Sequence, residues 1–159
     1  MKKRAQAWGF DLMIASVLFM GGIIFFYIYA FNTPSQGEEK LNSLTYEGNV
    51  LADSLISDGS PINWSVDNVG RIGLLSNNKI NQTKLDAFYS LSQSDYPKTK
   101  ALLNTRYNFF INASNPLTAN NEIIIGIGLP PDNPQNLIKI SRFTIYKETP
   151  VTLTIEVWE

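Results

Sequence analysis

Three asparagines stand in Asn-x-Ser/Thr triplets, the acceptor pattern for N-linked glycans. They are Asn63, Asn81 and Asn112. Glycosylation attaches a sugar to the side-chain amide and requires an exposed loop on the exported side of a membrane. Asn81 has an alternative role, because an asparagine at the start of a helix can cap its first turn. The triplets therefore mark three candidate glycosylation sites, and each also fits an ordinary asparagine in an Asn- and Ser-rich chain.

An acidic residue at the edge of an apolar run is the next candidate. Asp11 directly precedes residues 12–31, which contain no charged side chain. A carboxylate at a membrane edge is costly without a partner, so Asp11 could pair with the amine of a neighbouring subunit. It fits equally well at the headgroup level, where the helix N-terminus favours negative charge.

Gly21-Gly22 also has two explanations. Glycine permits close approach between membrane helices, but it is also common in ordinary membrane spans.

Catalytic and metal chemistry find little support in the sequence. The chain has no histidine and no cysteine, which removes the commonest general base and the usual zinc ligands. No G-x-S-x-G, H-E-x-x-H or P-loop pattern occurs. The loop residues Asp58, Asp67, Asp132 and Asn133 lack the spacing of a calcium-binding loop, so we expect solvated side chains there. We therefore expect no enzyme, no cofactor and no metal site.

Two further kinds of binding surface are disfavoured. Residues 32–159 carry ten Lys/Arg and thirteen Asp/Glu, a formal charge of -3, so nucleic acid is not an expected partner. An aromatic binding surface is the less favoured explanation for four aromatic side chains, because aromatic residues dominate the cores of small domains. We expect core packing for Trp64, Trp158, Tyr89 and Phe109.

The apolar run has the length of a membrane helix. Its twenty residues would span about 30 Å as an α-helix, which matches the hydrocarbon core of a bilayer. Lys2-Lys3-Arg4 precedes the run and Glu38-Glu39 follows it, so the positive-inside rule places the N-terminus in the cytosol and the rest outside. A cleavable secretory signal has a shorter apolar region and a small-residue cleavage site. We therefore predict a retained single-pass helix.

The chain divides into four segments on this basis. Residues 1–11 form a basic cytosolic segment, 12–31 the transmembrane helix, 32–37 a linker with Pro34, and 38–159 an extracytoplasmic domain. Proline should stop or bend the membrane helix at the linker.

Hydrophobic periodicity predicts the elements of the outer domain. An amphipathic helix is expected over 38–57, and shorter helices over 81–91 and 96–103, the last begun by Asp95 as its cap. Period-two patterns then predict a sheet mainly over 106–158. Its strands are expected at 106–113, 122–129, 137–147 and 151–158, with a hairpin turn at 148–150. The predicted fold class is α+β: an N-terminal transmembrane helix and an amphipathic helix, followed by a C-terminal antiparallel β-sheet domain.

The N-terminal residues resemble the leader of archaeal type IV pilin-like proteins, which carry class III signal peptides. The resemblance rests on Arg4-Ala5-Gln6, where a prepilin-type peptidase would cut before Gln6, and on the acidic Asp11 before the apolar run. A cut after Gly9 would instead leave Phe10 first, as at the glycine-phenylalanine junction of bacterial pilins. Residues 51–75 also resemble a segment of archaeal membrane proteins of this type. One departure is that a cut before Gln6 makes Asp11 the sixth mature residue, whereas archaeal pilins usually have glutamate at the fifth.

The resemblance implies a structural role at the cell surface. Such a protein is a filament subunit or surface protein that assembles through its N-terminal apolar helix and displays a β-rich domain outside the membrane. The implied partners are membrane lipid, further copies of the chain or other pilin-like subunits, and a prepilin-type peptidase. The alternative is a non-polymerising, signal-anchored ectodomain that binds a partner or supports a membrane complex.

Overall fold

The computed structural model describes residues 4–32 and 36–159. The chain divides into two compact units, Met1–Glu39 and Lys40–Glu159. Helix α1 (Arg4–Asn32) lies in the first unit and contains the whole apolar run predicted to form a membrane helix. The predicted stop or bend at Pro34 lies outside the described residues, as do Lys2 and Lys3 of the basic leader.

Within the residues that the structure describes, three further helices and eight strands follow α1. The helices are α2 (Gln36–Leu55), α3 (Gln82–Ser94) and α4 (Tyr96–Leu102). The strands are β1 (Leu75–Ser76), β2 (Lys79–Ile80), β3 (Asn108–Ala113), β4 (Leu117–Ala119), β5 (Glu122–Ile124), β6 (Ile127–Gly128), β7 (Leu137–Tyr146) and β8 (Thr149–Trp158). The predicted α+β fold, with an apolar N-terminal helix and an amphipathic helix before the sheet, is confirmed.

The main sheet has six strands in the order β1-β2-β7-β8-β3-β6, and β4 and β5 form a separate pair. Its pairs are antiparallel except for β2 beside β7, which is parallel. The predicted sheet is therefore present, but it is mixed at one edge. The reason is the β1–β2 hairpin, which comes from the turn-rich segment before α3 and adds to β7.

The apolar run 122–129 is not the single strand that its composition predicts. It breaks into β5 and β6, which belong to different sheets. A side chain at Gly126 would collide with the Phe110 ring, and Gly128 has φ +105° with its backbone against the Phe109 carbonyl. Close approach of the backbone to β3 therefore requires glycine at both positions and bends the chain out of a straight strand.

Three hairpins close through two-residue turns in which both residues have positive φ. The turns are Asn77-Asn78, Asn120-Asn121 and Lys147-Glu148. Asparagine tolerates this conformation, which fits the right-handed twist of a hairpin. The last turn lies one residue before the predicted position, so Thr149 and Pro150 belong to β8. Lys147 and Glu148 lack the usual turn preference, and the Glu148 carboxylate is paired with Lys79 Nζ at 2.8 Å.

The core lies between one face of the six-stranded sheet and helices α2 and α3. Leu44, Leu51 and Leu55 of α2 are fully buried, as are Phe88 of α3 and Phe109 of β3. A Cβ at Gly48 would lie 2.7 Å from the terminal carbons of both Ile138 and Ile140. The missing side chain thus lets α2 lie close against β7 and β8.

The aromatic residues expected in the core divide into two groups. Trp64 and Phe109 are buried, and Tyr89 and Trp158 are half-buried. The Trp64 indole donates a hydrogen bond of 2.8 Å to the Gly73 carbonyl, which satisfies its buried N–H. Burial of Trp64 anchors the long segment between α2 and β1.

Side-chain caps begin α3 and α4 as the sequence predicts. The Asn81 side chain accepts from Lys84 N, and the Asp95 side chain accepts from Lys98 N. Each bond satisfies one backbone N–H that the helix itself leaves unpaired.

A buried lysine fastens the segment before α3 to that helix. Lys84 is 3% exposed, and its Nζ donates to the carbonyls of Asp58 at 2.8 Å and Leu75 at 2.6 Å. Asp58 lies in the connection between α2 and β1, and Leu75 is the first residue of β1. An ammonium in this position replaces the water that these carbonyls would otherwise need.

Replacing Lys84 with methionine should therefore destabilise the Lys40–Glu159 unit. The substitution keeps most of the aliphatic volume but removes the donor of the buried Leu75 contact and of the part-buried Asp58 contact. Loss of the donor to the buried carbonyl costs about 1–3 kcal/mol. Chemical denaturation of the detergent-solubilised chain, followed by tryptophan fluorescence, measures the change. Lys98→Met, at an exposed position of α4, is the control and should unfold at the wild-type midpoint. Equal midpoints for the two variants would contradict this account of Lys84.

Candidate membrane and assembly site

Helix α1 exposes nearly all of its large apolar side chains. Trp8 is 80% exposed, Phe25 76% and Phe31 74%, which is the reverse of a helix in a soluble core. The described residues contain one helix long and apolar enough to cross a membrane, by length and composition. Exposed apolar area on this scale needs cover from lipid or protein.

The leader residues lie at the start of the same helix. Arg4, Ala5 and Gln6 occupy its first turn, with only their backbone described. Gly9, Phe10 and Asp11 follow in the second turn as exposed residues. Both candidate cleavage positions therefore lie within helical backbone, and either cut would leave residues 12–31 within the helix.

One face of α1 carries a regular heptad pattern, which we call the α1 seam. Its residues recur at alternating spacings of four and three along the continuous helix, so they lie in one row. Small and large residues alternate along the middle of this row, and a polar residue stands at each of its ends. It consists of Asp11, Ala15, Leu18, Gly22, Phe25 and Tyr29. The spacing of the seam residues is visible in the sequence. Hydropathy alone does not distinguish these residues from the other apolar residues of the run.

Gly22 lies on the seam and Gly21 does not. Successive residues of an α-helix are rotated by about 100° from each other. Within the part of the chain that the structure describes, a Cβ at either glycine would contact nothing. Glycine inside a helix costs about 0.5–1 kcal/mol relative to alanine. No intramolecular contact offsets that cost, in contrast to Gly48, Gly126 and Gly128.

The three sequon asparagines occupy different environments. Asn63 is exposed in the loop between α2 and β1, Asn81 caps α3, and Asn112 is half-exposed within β3. The structure does not bring them together, and none adjoins the leader residues along the chain.

A shallow groove runs between α2 and α4. It encloses about 570 Å³ and is lined by Ser43, Tyr46, Glu47, Asn104 and Arg106, among others. The Glu47 carboxylate accepts from Arg106 Nε at 2.8 Å and from the Thr105 hydroxyl at 3.1 Å. The charged groups of the groove thus pair with each other. Across residues 4–32 and 36–159 no three acidic side chains converge on a point that could hold a metal ion.

Beside this groove, a tyrosine of α4 is fixed to β3. The Tyr96 hydroxyl accepts a hydrogen bond of 3.0 Å from the backbone N–H of Phe109. Burial raises the pKa of the Tyr96 phenol above its ordinary value of 10.0. The side chain therefore stays neutral at physiological pH and acts as a structural contact between the helix and the strand.

Three ion pairs join α2 to the residue after β8, to the segment between α4 and β3, and to β7. They join Lys40 to Glu159 at 3.0 Å, Glu47 to Arg106 at 2.8 Å, and Asp53 to Arg142 at 3.0 Å. The hydrogen-bonded Lys40 ammonium lowers the pKa of the Glu159 carboxyl, and the Asn136 amide and the Arg106 charge lower it further.

Lys40→Gln should move the pKa of Glu159 back up towards 4.5, its ordinary value. A lowered folded-state pKa contributes stability above the ordinary value, and this contribution is lost as pH falls through the folded-state pKa. The variant should therefore lose less stability than the wild type between pH 5 and the acid limit. An NMR pH titration of the Glu159 side-chain carboxyl measures the shift directly. An unchanged pKa in Lys40→Gln would exclude Lys40 as its main cause.

No known family model matches the chain, and comparison with curated proteins and with solved structures gives no match either.

Proposed function

We propose that the protein is a pilin-like structural subunit or surface protein, anchored by α1 and displaying its β-rich domain outside the membrane. The observation that carries the proposal is the exposed apolar helix α1 with its seam. In this role α1 contacts lipid and other copies of the chain or related subunits. The outer domain faces partners or neighbouring subunits, and the role requires no catalytic residue.

The orientation is supported by charge. Lys2 and Lys3 precede α1 and Arg4 is its first residue, while Glu38 and Glu39 lie in the first turn of α2. Basic residues are retained on the cytosolic side, so this arrangement favours a cytosolic N-terminus and an exported domain. The outer domain contains no cysteine, and its stability therefore depends on core packing and polar contacts in an oxidising environment.

Self-assembly is supported by the α1 seam. Helices pack in membranes without a hydrophobic driving force between them, so close contact through small residues and interhelical hydrogen bonds takes its place. Ala15 and Gly22 offer that close approach, and Leu18 and Phe25 lie between and beyond them as larger side chains for the opposing helix. Asp11 lies on the same face, where the amine of a neighbouring processed subunit could neutralise it.

The alternative is a non-polymerising ectodomain on the same anchor. It is favoured by the position of Asp11, which would be sixth after a cut before Gln6 and second after a cut after Gly9. Neither position is the fifth, the usual place of the acidic residue in pilins. In this case α1 would remain a passive anchor with an intact leader.

The N-terminal residue of the mature protein distinguishes these two functions. We expect membrane and shear-released surface fractions to contain a chain that begins at Gln6 or Phe10, because assembly follows leader removal in pilin-like proteins. Mass spectrometry of the N-terminal peptide identifies it. If the chain keeps Met1 and occurs only in membranes, the filament-subunit function is wrong and the anchored-ectodomain function is favoured.

Gly22→Leu should weaken assembly much more than Gly21→Leu. A leucine on the seam holds two helices apart, and overpacking of this kind costs about 1–3 kcal/mol, or about fivefold or more in association. In-membrane cross-linking and the fraction of chain released by shear measure the effect.

Gly21→Leu is a closely matched control. It makes the same chemical change one residue away, on a face turned by about 100°, and gives the helix the same gain in intrinsic stability. Equal cross-linking of the two variants would rule out the seam as the assembly surface.

A further inference from the structure

We propose that Asn63 is the N-glycosylation site of this protein and that the structure disfavours the other two sequons. The inference rests on the proposed export of the outer domain. The reaction forms a bond between the Asn63 side-chain nitrogen and the anomeric carbon of a sugar. It breaks the bond between that carbon and the phosphate of a polyprenyl-phosphate-linked oligosaccharide. The lipid phosphate leaves with the bonding electrons, and the amide nitrogen loses one proton.

Asn63 has the accessibility that a transferase requires. It is exposed in a turn, with exposed Ile62 before it. Of the two residues that complete its triplet, Ser65 is exposed and Trp64 is buried, and Val66 after the triplet is half-buried. Within the described part of the chain, the Asn63 amide makes no hydrogen bond. Nothing in the fold therefore competes with the transferase for this side chain.

The loop around Asn63 is held at defined points. Its ends meet at the Ser60–Arg71 bridge, and Trp64 is buried with its indole bonded to the Gly73 carbonyl. Because Trp64 anchors the loop, the adjacent Asn63 is held at the surface. Ile62 beside it is 68% exposed, and an attached glycan would cover this apolar side chain.

The Asn81 side chain already makes hydrogen bonds within the fold. Its side-chain oxygen accepts from Lys84 N at 3.2 Å, and its side-chain nitrogen donates to Ser76 Oγ at 3.3 Å. The nitrogen that would receive the sugar is thus engaged, and its residue caps the helix that carries the buried Lys84. Access to this sequon requires the α3 cap to open.

Asn112 lies in regular β-structure. It is paired with Thr154 of β8, and the pairing continues past the strand end because Ser114 N donates to the Thr152 carbonyl at 2.9 Å. The triplet is therefore held extended against β8. A transferase that needs a flexible exposed segment cannot take it up without separating β3 from β8.

The test uses the full chain in cells that make lipid-linked oligosaccharides. We expect intact-mass and glycopeptide analysis to find a glycan on Asn63, and Asn63→Gln to remove the added mass. Ser65→Thr keeps the sequon and should keep the glycan, whereas Asn112→Gln should change nothing. A glycan mainly on Asn81 or Asn112, or no glycan on an exported chain, would overturn the assignment.

Export is measured separately, so the two proposals can fail independently. The chain has no cysteine, and Asp132 is exposed in the loop between β6 and β7. Asp132→Cys therefore provides a unique thiol for a membrane-impermeant maleimide. If intact cells are labelled but Asn63 carries no glycan, the glycosylation proposal is wrong and the proposed export is still supported. Labelling only after lysis refutes export and with it the glycan.

Discussion

The close packing of α2 on one face of the six-stranded sheet determines the rest of the Lys40–Glu159 unit. Gly48 permits the approach, and three leucines of α2 fill the space above the sheet. Because the sheet presents alternate residues to this face, a shift of one residue along β8 would turn its core positions outward. The contact thus fixes which side of the sheet is buried, and α3 adds Phe88 to the same core.

Polar contacts determine the conformation of the segment between α2 and β1, which apolar packing alone does not determine. The segment between α2 and β1 has few regular elements, and its shape depends on the Trp64 indole and the Lys84 ammonium, both bonded to backbone carbonyls. These groups are costly to bury without partners, so they select a single arrangement of the segment. The same arrangement exposes Asn63 and occupies Asn81.

Local sequence patterns predict the structural elements that depend on interactions between residues close together in the chain. The apolar α1, the amphipathic α2 and the caps Asn81 and Asp95 all depend on residues within a turn or two, and the structure agrees closely. The β1–β2 hairpin and the division of 122–129 depend on Phe110, Ile145 and other residues distant in the sequence, so composition could not find them. The leader and the sequons are visible as motifs, but choosing between the sequons requires burial and bonding. The seam was present in the heptad spacing and could have been found by counting.

The three ion pairs on α2 also have a mechanical consequence. Any tension applied to the chain before Lys40 reaches the Lys40–Glu159 unit through α2. Lys40, Glu47 and Asp53 fasten this helix at three successive levels, to Glu159, Arg106 and Arg142. A pull along α2 therefore meets contacts with three separate parts of the Lys40–Glu159 unit. In the proposed role as a surface protein anchored by α1, shear on the domain would load these three contacts.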